Sequence, residues 1–205
     1  RSQSGSGAAR VAALQQQAAG WIAAAPPALA WLLGASLDHT REALLAAALA
    51  PATHSVPTLG SLDYNARNVV LDGDRLTLID FAAVGADWPE RRFVQYGTAT
   101  GAGSVDDGFA SVVSSVSVTA YAAEVAQLRS VPVADMVHRV DAHDLLLLLT
   151  AAHHLRMIEA GQAHPDRAAA WADIPRRKAQ LIPLLQRPLA PDGPAEEFRA
   201  QLRSG

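Results

Sequence analysis

Cysteine is absent from the 205 residues, which excludes disulfides, thiolate nucleophiles and cysteine-ligated zinc. Lysine is nearly absent. Of the seventeen basic residues sixteen are arginine and one, Lys178, is lysine. Charge of either sign is sparse: charged residues make up 18% and the formal balance is -3. That is neither the basic surplus that draws a protein to nucleic acid nor an acidic tail. A membrane-length hydrophobic run is lacking too. The longest apolar stretch lies within "DLLLLLTAAHHLRM", Asp144 to Met157. It is too short to cross a bilayer and is interrupted by His153 and His154, so it reads as a buried core helix. The opening "RSQSGSGAAR" has no initiator Met and no apolar signal core. We therefore expect a piece cut from a longer chain, with no membrane and no nucleic-acid partner. A cysteine-free composition suits a reducing compartment, and a cytoplasmic location is expected.

Half the residues are hydrophobic, enough for one domain or one large lobe with a real core. Helix-forming composition dominates. The pattern predicts a helix from Ala8 to about Ala25, which Pro26 and Pro27 end or restart. Two further helical pieces follow, Leu29 to Leu33 and Asp38 to Ala50, with Asp38 as N-cap and Glu42 in the first turns. "PATHSVPTLGS" is a loop by composition. After the central region come helices over roughly Val105 to Arg129, Val133 to Ala160 and Pro165 to Leu185, the last open to breaks at Pro175 and Pro183. A shorter helix spans Ala195 to Leu202. The expected fold class is mainly α with one β-hairpin. A single domain 1–205 divides into a helical segment (1–50), a loop and hairpin region (51–95) and a helical subdomain (96–205).

The one convincing β region is the hairpin. "NVVL", "DGD" and "RLTLI" are two short strands around an Asp-Gly turn, a strong short-range signal. A turn centred on Asp72, Gly73 and Asp74 sets the register but leaves the residue facing Asn68 open among Thr77, Leu78 and Ile79. In each case Asp80 falls close by, since neighbouring strands lie about 4.8 Å apart. Asp63 comes five residues before Asn68. Three oxygen-bearing side chains can therefore converge at the open end of the hairpin. One carboxylate and one amide oxygen suit magnesium, which keeps several waters. A second carboxylate can orient a hydroxyl and accept its proton, and phosphoryl transfer asks little more than positioning and charge neutralisation.

The spacing Asp63-Tyr64-Asn65-Ala66-Arg67-Asn68, then a hairpin, then Asp80-Phe81, is the kinase catalytic-loop arrangement. Over about twenty residues, "SLDYNARNVVLDGDRLTLIDF" resembles the aminoglycoside phosphotransferase family, small-molecule kinases of protein-kinase-like fold. The resemblance is to the C-terminal lobe of that fold. It implies that Asp63 is the catalytic base or hydroxyl-orienting group and that Asn68 and Asp80 are magnesium ligands. ATP and a small-molecule hydroxyl acceptor would be the partners, with Mg2+ as cofactor. The motif is shared by antibiotic, choline-like, amino-acid and sugar kinases, so it does not name the acceptor.

Some positions depart from the family pattern. Ser61 stands where the family has a histidine that supports the loop, and Leu62 where it has glycine. A second Asp often follows the metal-binding one in a Gly-Asp-Pro run. Here "GADWPERRF" offers Asp87 and Pro89 with Trp88 between them. An N-terminal lobe would supply a strand-rich nucleotide clamp and a phosphate-pairing lysine. Nothing before Asp63 reads as such a sheet, and no lysine precedes it. "GSGAAR" (Gly5 to Arg10) lacks the second half of a glycine-rich phosphate loop. The 205 residues alone are thus expected to be inactive, and a non-catalytic kinase-like binding or scaffold module is the alternative function.

Other conspicuous residues read more simply. His153 and His154 point about 100° apart on a helix and cannot easily share a metal; with His138 and His143 they read as packing or capping groups. Asp106 and Asp107 read as first-turn acids of a helix. Arg91 with Arg92, and Arg176 with Arg177, read as solvated faces. Trp21, Trp31, Trp88 and Trp171 read as core or rim.

Overall fold

A helix with apolar side chains on every face is stable only when it is enclosed, and such a helix sits at the centre of this protein. The structure is a computed structural model describing residues 7–62, 69–79, 83–99 and 108–204, with the backbone alone at 7, 8, 69, 71, 76, 78, 99, 167 and 170. In chain order the elements are α1 (Gly7–Leu33), α2 (His39–Leu49), a 3-10 turn (Ala50–His54), β1 (Thr58–Ser61), β2 (Val69–Asp72), β3 (Arg75–Leu78), β4 (Val84–Asp87) and α3 (Pro89–Tyr96). Then come β5 (Thr98–Ala99), β6 (Ala110–Ser111), α4 (Ser115–Arg129), α5 (Val133–Glu159), α6 (Pro165–Ala170), α7 (Ile174–Gln186) and α8 (Pro194–Ser204). The mainly α class holds. Among the described residues no helix is long and apolar enough to cross a membrane.

Helix α5 is the enclosed one. Its C-terminal part, including Leu145, Leu148, Leu149 and Leu155, joins a core with Leu29 and Leu32 of α1, Leu45 and Leu49 of α2, Leu181 of α7 and Phe198 of α8. Its N-terminal part, Met136, Val137 and Val140, belongs to a second cluster with Val94 of α3 and Val118 and Ala122 of α4. One helix thus serves two cores, and every other long helix is placed by where it meets α5.

Local expectations fare unevenly. Asp38 does cap α2, its carboxylate accepting the Arg41 N–H at 2.8 Å, with Glu42 in the first turn. Pro26 and Pro27 neither end nor restart a helix, because α1 runs through both. Each proline removes one backbone donor, but Ala25, Ala28, Leu29 and Leu32 are buried together, and packing outweighs the lost hydrogen bonds. Pro175 falls in the first turn of α7, and the break expected near it lies between α6 and α7. Pro183 is accommodated inside α7. Among the described residues the expected single hairpin is one of three two-stranded antiparallel ladders: β2 with β3, β1 with β4, and β5 with β6. The "PATHSVPTLGS" loop accordingly contains the 3-10 turn and β1. The helix expected from Val105 begins only at Ser115, behind the Ser114 capping box, and Asp106 and Asp107 lie outside the described residues.

The α5 interior holds two carboxylates one turn apart, Asp141 and Asp144, each no more than 1% exposed. Arg199 of α8 answers both, reaching Asp141 at 2.7 Å and Asp144 at 3.0 Å. It also donates to the carbonyls of Leu184 and Leu185 at 3.2 and 3.1 Å. Arg187 reaches the other oxygen of Asp144 at 2.9 Å. Burial works against the Arg199 charge, but Asp141 and Asp144 outweigh it and raise its pKa. Removing one partner of a buried pair strands the other charge. Arg199→Ala should therefore lose about 3–5 kcal/mol in urea unfolding. Arg203→Ala, which breaks a more exposed pair with Glu196, should lose no more than about 1 kcal/mol.

Candidate active site

The hairpin register is fixed by its turn. Asp72 faces Arg75, so Gly73 and Asp74 form a two-residue connection. Gly73 has φ +57° and no positive φ occurs at Asp74, the type II′ pattern that glycine enters without steric cost. From there Leu71 faces Leu76, Val70 faces Thr77 and Val69 faces Leu78. Thr77 and Leu78 are thereby already partnered by strand β2. The last described pair sits one residue after Asn68 and two before Asp80 in sequence.

A second ladder encloses the hairpin in sequence. Strand β1 leads toward Asp63 and β4 leads away from Asp80, and they pair antiparallel from Thr58 with Asp87 to Ser61 with Val84. The Leu62 N–H extends the ladder by donating to the Ala83 carbonyl at 2.9 Å. Ser61, where the family resemblance expects histidine, is the last residue of β1.

Two glycines oppose each other in this ladder, Gly60 and Gly85. Their missing side chains are used. A Cβ on Gly60 would lie 2.2 Å from Arg92 Nη1, and one on Gly85 would lie 2.7 Å from Leu62 Cδ1. Arg92 of α3 occupies the space beside Gly60. Its Nη2 donates to the Thr58 carbonyl at 2.6 Å and the Gly85 carbonyl at 3.1 Å, and its Nη1 to Thr58 Oγ1 at 3.2 Å. Arg92 is thus committed to backbone, contrary to the solvated-face expectation. Arg91 is paired with Asp87 and its guanidinium lies 5.0 Å from the Trp21 ring centre. Arg177 is buried and donates to the Ala172 carbonyl at 3.1 Å, whereas Arg176 is exposed.

Asp87, the carboxylate offered as a second acid, is also committed. It is 2% exposed, accepts the Trp88 N–H at 2.7 Å and pairs with Arg91. Behind it, Trp88 packs against Trp21 at 6.2 Å and against the His143 ring at 5.7 Å. Glu90, in the first turn of α3, is fully buried, with Arg129 at 3.6 Å. Burial pushes its carboxyl pKa up, while a hydrogen bond from its own backbone and the charges of Arg129 and Arg139 pull it down. The His153 and His154 rings lie 5.9 Å apart and tilted by 53°. The His154 ring lies edge-on to Trp171 at 5.8 Å, and His153 is only partly exposed. The sole lysine is far from the hairpin in sequence and already engaged: Lys178 donates to the Trp31 carbonyl at 2.7 Å and sits 4.5 Å from the Trp31 ring centre. The Trp31 indole in turn donates to Glu159 at 2.6 Å.

Asp63, Asn68 and Asp80 themselves lie outside the described residues, as do Asn65, Arg67 and Phe81. Among the described residues no group of three or more His, Asp or Glu stands together to hold a metal. The donor set read from sequence is all oxygen, two carboxylates and one amide, which suits magnesium by ligand type. Sequence reasoning missed the half-buried Arg92 and the buried Glu90 as parts of the frame; for Arg92 the available signal was the pair of glycines flanking the motif. No family model, no curated protein and no solved structure matches this chain.

His143 links the frame to the core. It is 2% exposed, and its Nε2 shares a 3.0 Å hydrogen bond with Ser55 Oγ just ahead of β1. Burial, and then the charge of Arg91, push its pKa down from 6.5 to about 3. Between those values the unfolded chain binds a proton that the folded chain does not. Its stabilising contribution is therefore complete above about pH 6.5 and declines as the pH falls toward 3. His143→Gln removes the titration while keeping a group able to bond Ser55. The stability difference, wild type minus variant, should fall by up to about 1.4 kcal/mol per pH unit through this window. Urea unfolding from pH 7 to 4 checks this, and a pH-independent difference would mean that the imidazole protonates in place.

Proposed function

We propose that these residues form the C-terminal lobe of an ATP-dependent phosphotransferase that moves a γ-phosphoryl group to a hydroxyl of a small molecule. The observation that supports this reading is the nesting of two ladders. The β2–β3 hairpin, in the register Val69 with Leu78, is enclosed in sequence by the β1–β4 ladder, closed by Leu62 on Ala83. The segments carrying Asp63, Asn68 and Asp80 are exactly those between the two. Their fixed ends are what a site built from sequence-distant residues needs.

In this reading Asp63 orients the acceptor hydroxyl and takes its proton. Asn68 and Asp80 hold magnesium, which neutralises charge on the transferring phosphate when bound. Asp87 takes no part, being spent on Arg91 and on its own turn. A lysine that pairs the nucleotide phosphates has to come from residues other than these, since Lys178 is engaged on Trp31. The reading carries with it a cytoplasmic location and neither nucleic-acid nor membrane partners. A non-catalytic kinase-like binding or scaffold module is the second reading, favoured by serine rather than histidine at position 61.

Magnesium-dependent ATP turnover by the natural polypeptide that contains these residues separates the two. Asp63→Asn and Asp80→Ala should each lower it by about a hundredfold or more. Rates equal to those of an active unsubstituted protein would remove the site assignment, and no turnover in the unsubstituted protein would leave the scaffold reading.

A further inference from the structure

Asp63 and Asp80 belong to different segments, one following β1 and one preceding β4. Resting on the phosphotransferase reading above, we propose that Arg92 is a positioning residue of that site: its guanidinium ties β1, the strand that leads toward Asp63, to β4, the strand that follows Asp80.

Three contacts from one side chain carry this. Arg92 donates to a carbonyl on each strand, Thr58 of β1 at 2.6 Å and Gly85 of β4 at 3.1 Å, and to the Thr58 hydroxyl at 3.2 Å. A two-stranded ladder of four residues is marginal alone, so a clamp across it changes how rigidly its end is held. The planar fork of arginine can reach acceptors on both strands at once, which the single ammonium of lysine does less well. The opposed Gly60 and Gly85 leave room for it, since a Cβ at Gly60 would lie 2.2 Å from Nη1. Arg92 also projects from α3, which packs on α5. The clamp therefore refers both strands to the central helix.

The test uses the natural full-length polypeptide, with magnesium-dependent ATP turnover and amide hydrogen exchange at Leu62, whose N–H closes the ladder on Ala83. Arg92→Ala should lower kcat by about tenfold to a hundredfold with little change in KM for ATP, and should speed Leu62 exchange. Arg92→Lys should recover only part of the loss. Gly60→Ala displaces the guanidinium without deleting it and should reproduce the Arg92→Ala defect. The double variant should be no worse than the poorer single one, because the added Cβ acts only through the guanidinium. Phe198→Ala, a core truncation in α8 away from the ladder, should lower stability yet leave kcat per folded molecule and Leu62 exchange unchanged. With Asp63→Asn inactive, a kcat for Arg92→Ala within about twofold of the parent, or additive losses from Gly60→Ala and Arg92→Ala, would overturn the inference alone. An active Asp63→Asn would overturn the site reading and this inference with it.

Discussion

Two carboxylates inside a helix that is surrounded by leucine set the terms for much of this molecule. Asp141 and Asp144 cannot stay charged in that position without partners, and the partners come from the far end of the chain. Arg199 is itself enclosed, so the cluster is viable only when α8 is docked and α7 has presented the carbonyls of Leu184 and Leu185. By itself such a cluster adds little net stability over hydrocarbon of the same shape. What the charges add is a single permitted alignment of α5, α7 and α8. Around that alignment the apolar contacts of Phe198, Leu181 and Leu45 close.

From the core outward the restraints form a series. Helix α5 places α3, and α3 carries Asp87's partner Arg91, the buried Glu90 and the strand-binding Arg92 on consecutive positions. This arrangement lets one short helix grip a tryptophan-lined core on one side and a β-ribbon on another. The strands contribute little apolar burial of their own: Leu59 and Val84 are largely exposed. Their geometry is held by hydrogen bonds to backbone rather than by packing.

The sequence disclosed what depends on neighbours close along the chain. The Asp38 cap, the hairpin turn at Gly73 and the limits of α5 all arise from residues within a few positions of one another. The β1–β4 ladder was illegible because its strands are four residues each and separated by the whole hairpin, with no connecting turn to announce the pairing. The prolines at 26 and 27 misled because their local cost is overridden by burial of the alanines and leucines around them. Adjacent arginines looked like a solvated face because charge alone does not reveal that a glycine far upstream has cleared a space for one of them. Asp63, Asn68 and Asp80 were legible as a spacing and a set of residue types.

The pairing of Lys178 with Trp31 has a chemical side. The sequence offers a single ε-amine, and α7 holds it against the carbonyl and ring of a residue in α1. An ammonium so engaged is a poor nucleophile until it leaves Trp31. Within these 205 residues, acylation of that amine therefore reports the release of one contact between residues far apart in sequence.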